Sequence, residues 1–167
     1  MARFARVAAF AFPLVLTGLP ALAEDASKPA EQPQILSKLT LEDIRDALQD
    51  AGYRAQIKSD NTGNYVSSAS SGRNFFVSLN GCDDQKVCKT ILMESGGWAP
   101  NTPLTVDSLD QFDNDNAGWV TAVKYKDGKY YANYRATLVG GITKAWLQSS
   151  LEAFATSTEN FAAFMQK

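Results

Sequence analysis

YRAQIKSDNTGNYVSSASSGRNFFVSLN, residues 53–80, sets three strand-like runs end to end with almost nothing between them. Tyr53 to Lys58 and Tyr65 to Ser70 flank Asp60-Asn61-Thr62-Gly63, a hairpin signal, and Ser71-Gly72 turns the chain into Asn74 to Asn80. In the third run Phe75, Val77 and Leu79 alternate with Phe76 and Ser78, as a half-buried strand requires. Connections this short permit only antiparallel neighbours, because a parallel crossover needs roughly a dozen residues or more. The rest of the chain must fit around an antiparallel sheet.

Downstream, Thr90 to Ser95 reads as a fourth strand. Trp119 to Tyr125 and Lys129 to Val139 flank Asp127-Gly128, which predicts a two-residue type I′ turn with both residues at positive φ. That register sets Tyr125 opposite Tyr130, Val123 opposite Ala132, Thr121 opposite Tyr134 and Trp119 opposite Ala136 on a mostly apolar face. Lys124, Tyr131, Asn133 and Arg135 then share the polar face.

Helix starts recur as an apolar residue, a threonine and a second apolar residue: Leu39-Thr40 before Ile44, Leu104-Thr105 before Leu109, Ile142-Thr143 before Leu147. The threonine oxygen accepts from an unpaired first-turn N–H while the apolar pair staples across it. The first helix carries Ile44, Ala47, Leu48 and Ala51 inward and stops at Gly52. The second is short, with Val106, Leu109 and Phe112 on one side. The last holds Leu147, Leu151, Phe154, Phe161 and Met165, flanked by Trp146 and Phe164, a stripe that reads as core. The order α-β-β-β-β-α-β-β-α predicts an α+β fold: one twisted antiparallel sheet of five to six strands with three helices packed mainly on one face.

At the N-terminus, MARFAR is basic, Val7 to Leu19 is apolar, and Ala21-Leu22-Ala23 is a small-x-small site before Glu24. Residues 1–23 therefore read as a secretory signal peptide cleaved between Ala23 and Glu24. Pro13 and Gly18 interrupt a run too short for a membrane span, so no stable anchor is expected after cleavage. Residues 24–38, EDASKPAEQPQILSK, read as a flexible lead-in, and 39–167 as the domain. The expected location is the bacterial periplasm or the medium.

Arg3 and Arg6 leave with the leader, so 14 basic residues face 18 acidic ones in what remains. With no basic stripe, nucleic acid is not an expected partner. The chain has no histidine, which removes Ser-His-Asp and Cys-His catalysis and histidine-ligated metals. No catalytic motif stands in for them. The expectation is a non-enzymatic protein without cofactor or metal.

Cys82 and Cys88 enclose five residues between two strands, and in an oxidising compartment they read as a structural disulfide. Their spacing is not the Cys-x-x-Cys of a redox pair. Asp113-Asn114-Asp115-Asn116-Ala117-Gly118 starts like a calcium loop but puts Lys124 where a bidentate glutamate is required, so it reads as an acidic helix end. Asp107 and Asp110 read as solvated surface, and Gly140-Gly141 as a sharp turn into the last helix. Trp98 lies outside any periodicity and reads as the cap of an apolar sheet edge, with a ligand anchor as the alternative.

The run Ser71-Gly72-Arg73-Asn74-Phe75-Phe76-Val77, followed by Gly81-Cys82 and Cys88-Lys89-Thr90, resembles the bacterial YbjN family, described as candidate sensory transduction regulators. So do Leu41 to Tyr53 and Leu138-Val139-Gly140-Gly141-Ile142-Thr143. The resemblance implies a fold similar to type III secretion chaperones and a non-enzymatic, partner-binding role, with no catalytic residues to carry over. The family tends to be more basic after the second helix, where Asp113 to Gly118 is acidic.

The resulting expectation is an exported interaction or regulatory module for an unknown protein or peptide, with a homodimer left open. Its candidate partner surface is Lys124, Tyr131, Arg135 and Trp98, on the polar sheet face or beside the last helix. The rival is a periplasmic small-molecule-binding protein with a pocket between helices and sheet, where Tyr53, Tyr130, Tyr134 and Trp119 would point polar groups inward.

Overall fold

A computed structural model of the protein describes residues 33–100, 102–116 and 119–166. In chain order the elements are β1 (Ile35–Leu36), α1 (Leu41–Asp50), β2 (Arg54–Asp60), β3 (Gly63–Ser70), β4 (Arg73–Asn80), β5 (Thr90–Ser95), α2 (Val106–Asp115), β6 (Thr121–Lys124), β7 (Tyr130–Thr137), β8 (Ile142–Thr143) and α3 (Lys144–Phe164). Six strands form one antiparallel sheet in the order β2-β3-β4-β5-β7-β6, and β1 pairs with β8 in a two-stranded one. The expected α+β architecture is the one observed.

Each helix starts on its threonine. Thr40 Oγ1 accepts from Asp43 N (3.1 Å) while Asp43 Oδ2 accepts from Thr40 N (2.9 Å), a reciprocal capping box. Thr105 accepts from Ser108 N and Thr143 from Trp146 N. The helices bury their apolar faces on one side of the sheet. Ile44 and Leu48 of α1, Phe75, Val77, Ile91 and Met93 of the strands, and Leu147, Leu151, Phe154 and Phe161 of α3 are almost fully buried together. Phe112 anchors α2 against Phe161 and Phe164, with ring centroids 5.2 and 5.1 Å apart. Val106, expected on that buried side, is 72 % exposed, because the first residue past the Thr105 cap points away from the sheet.

The turns depart from expectation in an informative way. Type I′ conformation occurs between β3 and β4, where Ser71 and Gly72 both have positive φ (46° and 75°). At the β6–β7 hairpin only Gly128 is left-handed (φ 80°). Its loop has three residues, Lys126, Asp127 and Gly128, closed by Tyr125 N donating to Lys129 O (2.9 Å). Ala122 therefore pairs with Ala132, Val123 with Tyr131 and Lys124 with Tyr130, one residue out from the expected register. A one-residue slip turns every side chain of a strand over. The slip puts Ala122 and the preceding Val120 into the core, and that burial favours it over the two-residue turn.

The lead-in also ends differently. Ile35 and Leu36 pair with Thr143 and Ile142, and Leu36 packs against the core, so the fold takes up the chain ahead of Leu39. The expected leader, the Ala23–Glu24 cleavage site and residues 24–32 lie outside the described residues.

Candidate functional site on the open sheet face

With the helices on one side, the other face of the six-stranded sheet is bare. Register assigns its side chains: Tyr65 faces Ser78, Phe76 faces Glu94, and Leu92 faces Arg135, with Tyr131 and Asn133 beside them on β7. Both edges of the sheet are touched by helix side chains. Gln49 Nε2 donates to Ala55 O on β2 (3.0 Å), and Asp113 Oδ1 accepts from Ala122 N on β6 (2.7 Å). Burial pushes the Asp113 carboxyl above its ordinary value. Each contact occupies one backbone group of its edge strand.

A groove of about 530 Å³ crosses this face between the β2–β3 hairpin tip and the strands β4, β5 and β7. Half-buried Tyr65 and Phe76 meet edge to face in its floor, with centroids 5.6 Å apart. Glu94 and Asp60 contribute carboxylates to its walls. Tyr125 Oη donates to Glu94 Oε2 (2.7 Å) and accepts from Asn133 Nδ2 (2.8 Å). Tyr131 Oη donates to Asp127 Oδ2 (2.8 Å), and its ring lies 4.7 Å from that of Tyr125.

The Tyr131 hydroxyl is pushed up to about 12, first by its bond to the Asp127 carboxylate and then by burial. Burial, followed by the bond to Glu94, raises Tyr125. Asp60 is held below its ordinary value by the Thr62 hydroxyl and N–H. At neutral pH the face therefore presents neutral tyrosine donors that orient the carboxylates they bind.

Of the residues expected to form a partner surface, Tyr131 and Arg135 stand on this face. Lys124 does not share it: the register slip carries it to the helix side, where its ammonium sits 5.3 Å from the Tyr130 ring centroid. Trp98 is held by paired backbone bonds to Tyr130 (2.9 and 2.8 Å) and packs edge-on to Phe161 of α3 (5.3 Å), as the cap of the apolar core. Two of the four rings expected to line a pocket between helices and sheet are packed into the core, while Tyr134 borders an opening of about 540 Å³ that Ile142 and Trp146 also line. Tyr130 is 4 % exposed, Tyr53 meets Phe75, and Trp119 stacks on Tyr134 at 4.3 Å.

The open-face groove lies on the opposite side, lined by Tyr65, Phe76, Leu92 and Glu94, which sequence reasoning passed over. Strand alternation carried the signal. In β4 the outward partner of buried Phe75 and Val77 is a second phenylalanine, where a solvated face would place a polar residue.

Cys82 and Cys88 are joined in a disulfide. Inside their loop Asp83 Oδ1 accepts from Gln85 N (3.0 Å) and Val87 N (2.8 Å). Among the described residues no three His, Cys, Asp or Glu side chains cluster to hold a metal.

The family model for YbjN, described as "Putative bacterial sensory transduction regulator", matches residues 40–167. The chain belongs to the YbjN family. The YbjN match opens on the Thr40 cap and takes in every element from α1 onward, the open face included. No curated protein matches the chain.

Proposed function

We propose that this YbjN-family chain is an exported, non-enzymatic regulatory module that holds a protein or peptide partner on the open face of its sheet. One observation carries the reading: a whole face of a six-stranded sheet is uncovered and holds half-buried Tyr65, Phe76 and Tyr131. Aromatic side chains with one wet end are the groups protein interfaces favour. Export is supported by the leader-like residues 1–23 and by the disulfide, which persists in oxidising compartments. The implied likeness to type III secretion chaperones, helices on one side of an antiparallel sheet, supports the same binding role.

Two measurements test it. The intact mass of protein recovered from the periplasm is expected to start at Glu24 with no free thiol; uncleaved chain in the cytosol with two reduced cysteines refutes export. Amide NMR of the mature chain with a panel of short peptides should move resonances of β3, β4, β5 and β7. Shifts confined to the helix side, or none, refute the face.

A second reading, a periplasmic small-molecule-binding protein, is favoured by the groove, whose volume lies within the range of ligand pockets. A thermal-shift screen against metabolites separates the two, since a ligand that binds only the folded state raises Tm with its concentration.

A further inference from the structure

We propose that the chain forms a twofold dimer through β2, whose outer edge pairs antiparallel with β2 of a second copy in the register centred on Ile57. This pairing is independent of what binds the open face.

β2 is the last strand on its side of the six-stranded sheet, and all of its residues but Ala55 are exposed. The two-residue loop after it closes on the pair Asp60–Gly63, which is hydrogen-bonded in such a hairpin. Arg54, Gln56, Lys58 and Asp60 therefore turn their backbone groups to β3, and Ala55, Ile57 and Ser59 turn theirs outward. The Gln49 amide, which comes from α1, meets the Ala55 carbonyl on that outer edge (3.0 Å). Among the described residues nothing else bonds the outward groups.

Charge complementarity argues for a second copy as the occupant. Two antiparallel copies of β2 bring outward groups together in registers two residues apart. Centred on Ile57, the register sets Ile57 opposite Ile57, Ala55 opposite Ser59, Gln56 opposite Lys58 and Arg54 opposite Asp60, so the whole strand is paired. Sliding one copy by two residues in one direction sets Arg54 opposite Lys58, and in the other direction Lys58 opposite Lys58. Like charges directly opposite are destabilising and unlike charges attract, so the charges select the central register. A lysine in mid-strand guards an edge against stray pairing. Here Lys58 bars the shifted alignments and meets a neutral residue in the central one.

The groups involved are uncommitted. The ion pairs among the described residues are Arg45–Asp46 and Lys144–Asp50, so Arg54 and Asp60 have no charged partner there. Ile57 lies on the helix side, opposite buried Val66, yet is 37 % exposed, and its own copy would cover it. The edge at β6 offers less: four residues, with the Ala122 N–H already given to Asp113. Because both copies use the same edge, the assembly closes at two. Arg54 of one copy then stands beside Asp60 of the other, at the wall of the open-face groove, and each groove is bordered by both chains.

Sedimentation velocity of the mature, disulfide-bonded chain should show a monomer–dimer equilibrium in about the micromolar range, as a small interface gives, weakened by salt. Arg54→Asp and Asp60→Arg should each weaken it about tenfold or more, since each sets like charges opposite one another at both ends of the pairing. Mixed in equal amounts, the two variants should restore the dimer, because each supplies the charge the other lacks. Ile57→Lys, which sets two ammonium groups on the twofold axis and leaves the Arg54–Asp60 pairs in place, should also give a monomer; amide NMR of every variant checks the fold.

A wild-type chain that stays monomeric at about 1 mM overturns the inference. A dimer that all three variants leave intact overturns it as well, because the contact then lies elsewhere. So does a mixture of folded Arg54→Asp and Asp60→Arg chains that associates no better than either alone.

Discussion

Gly141 sits where the chain turns from β7 toward β8, at φ 84°, and a Cβ there would lie 2.6 Å from Ile35 Cγ2 and 3.0 Å from Leu36 O. Gly140 has the same handedness (φ 92°) but open space around it. Gly140→Ala should cost about 1–2 kcal/mol for the left-handed backbone alone, and Gly141→Ala distinctly more because β1 must move as well. Urea denaturation of the two variants measures the difference; equal losses would mean that β1 is not seated on Gly141. Glu159 of α3 accepts from the hydroxyls of Ser70 and Ser71 at the β3–β4 turn, and these bonds hold its carboxyl below the ordinary 4.5. A depressed folded-state value gives stability that is complete above the unfolded value and is lost as pH falls through the folded one. Glu159→Gln should therefore flatten stability between neutral pH and the acid side of 4.5, as read by melting temperature against pH. An unchanged profile would show that the clasp contributes nothing.

The three helix starts were legible because a cap is a local device: an oxygen two bonds from the backbone meets an N–H three residues on, whatever the rest of the molecule does. Thr40→Ala should cost about 1 kcal/mol, since it removes one half of a reciprocal box in a partly buried place. Thr105→Ala, at an exposed cap without the return bond, should cost less. Chemical denaturation of the pair checks the order. The β6–β7 hairpin was legible as a hairpin but not in its register. Asp-Gly suits a two-residue turn and equally a three-residue loop that needs only Gly128 left-handed, with Asp127 Oδ1 accepting from Lys129 N (3.0 Å). Burial of Val120 and Ala122 selects between them, and that selection moved Lys124 off the face with Tyr131 and Arg135.

For the molecule as a whole, the disulfide closes a short loop that Asp83 already braces from inside. Replacing Cys82 and Cys88 by serine together should lower stability by about 2 kcal/mol or less on chain-entropy grounds, and leave the amide spectrum of the open face unchanged. A global loss of dispersion in that spectrum would show that the clasp holds the domain and not merely the loop. The sequence by itself determined the antiparallel hairpins, the helix starts and the disulfide, because each follows from neighbours a few residues apart: a turn too short for a crossover, a threonine before an apolar run, two cysteines six positions apart. The groove waited on tertiary structure. Tyr65, Phe76, Glu94 and Tyr131 come from four strands, and only pairing register, hairpin-loop length and the helices' choice of side bring them together. Those choices are settled by which apolar residues can be buried at the same time, a property of the assembled core and of no single segment.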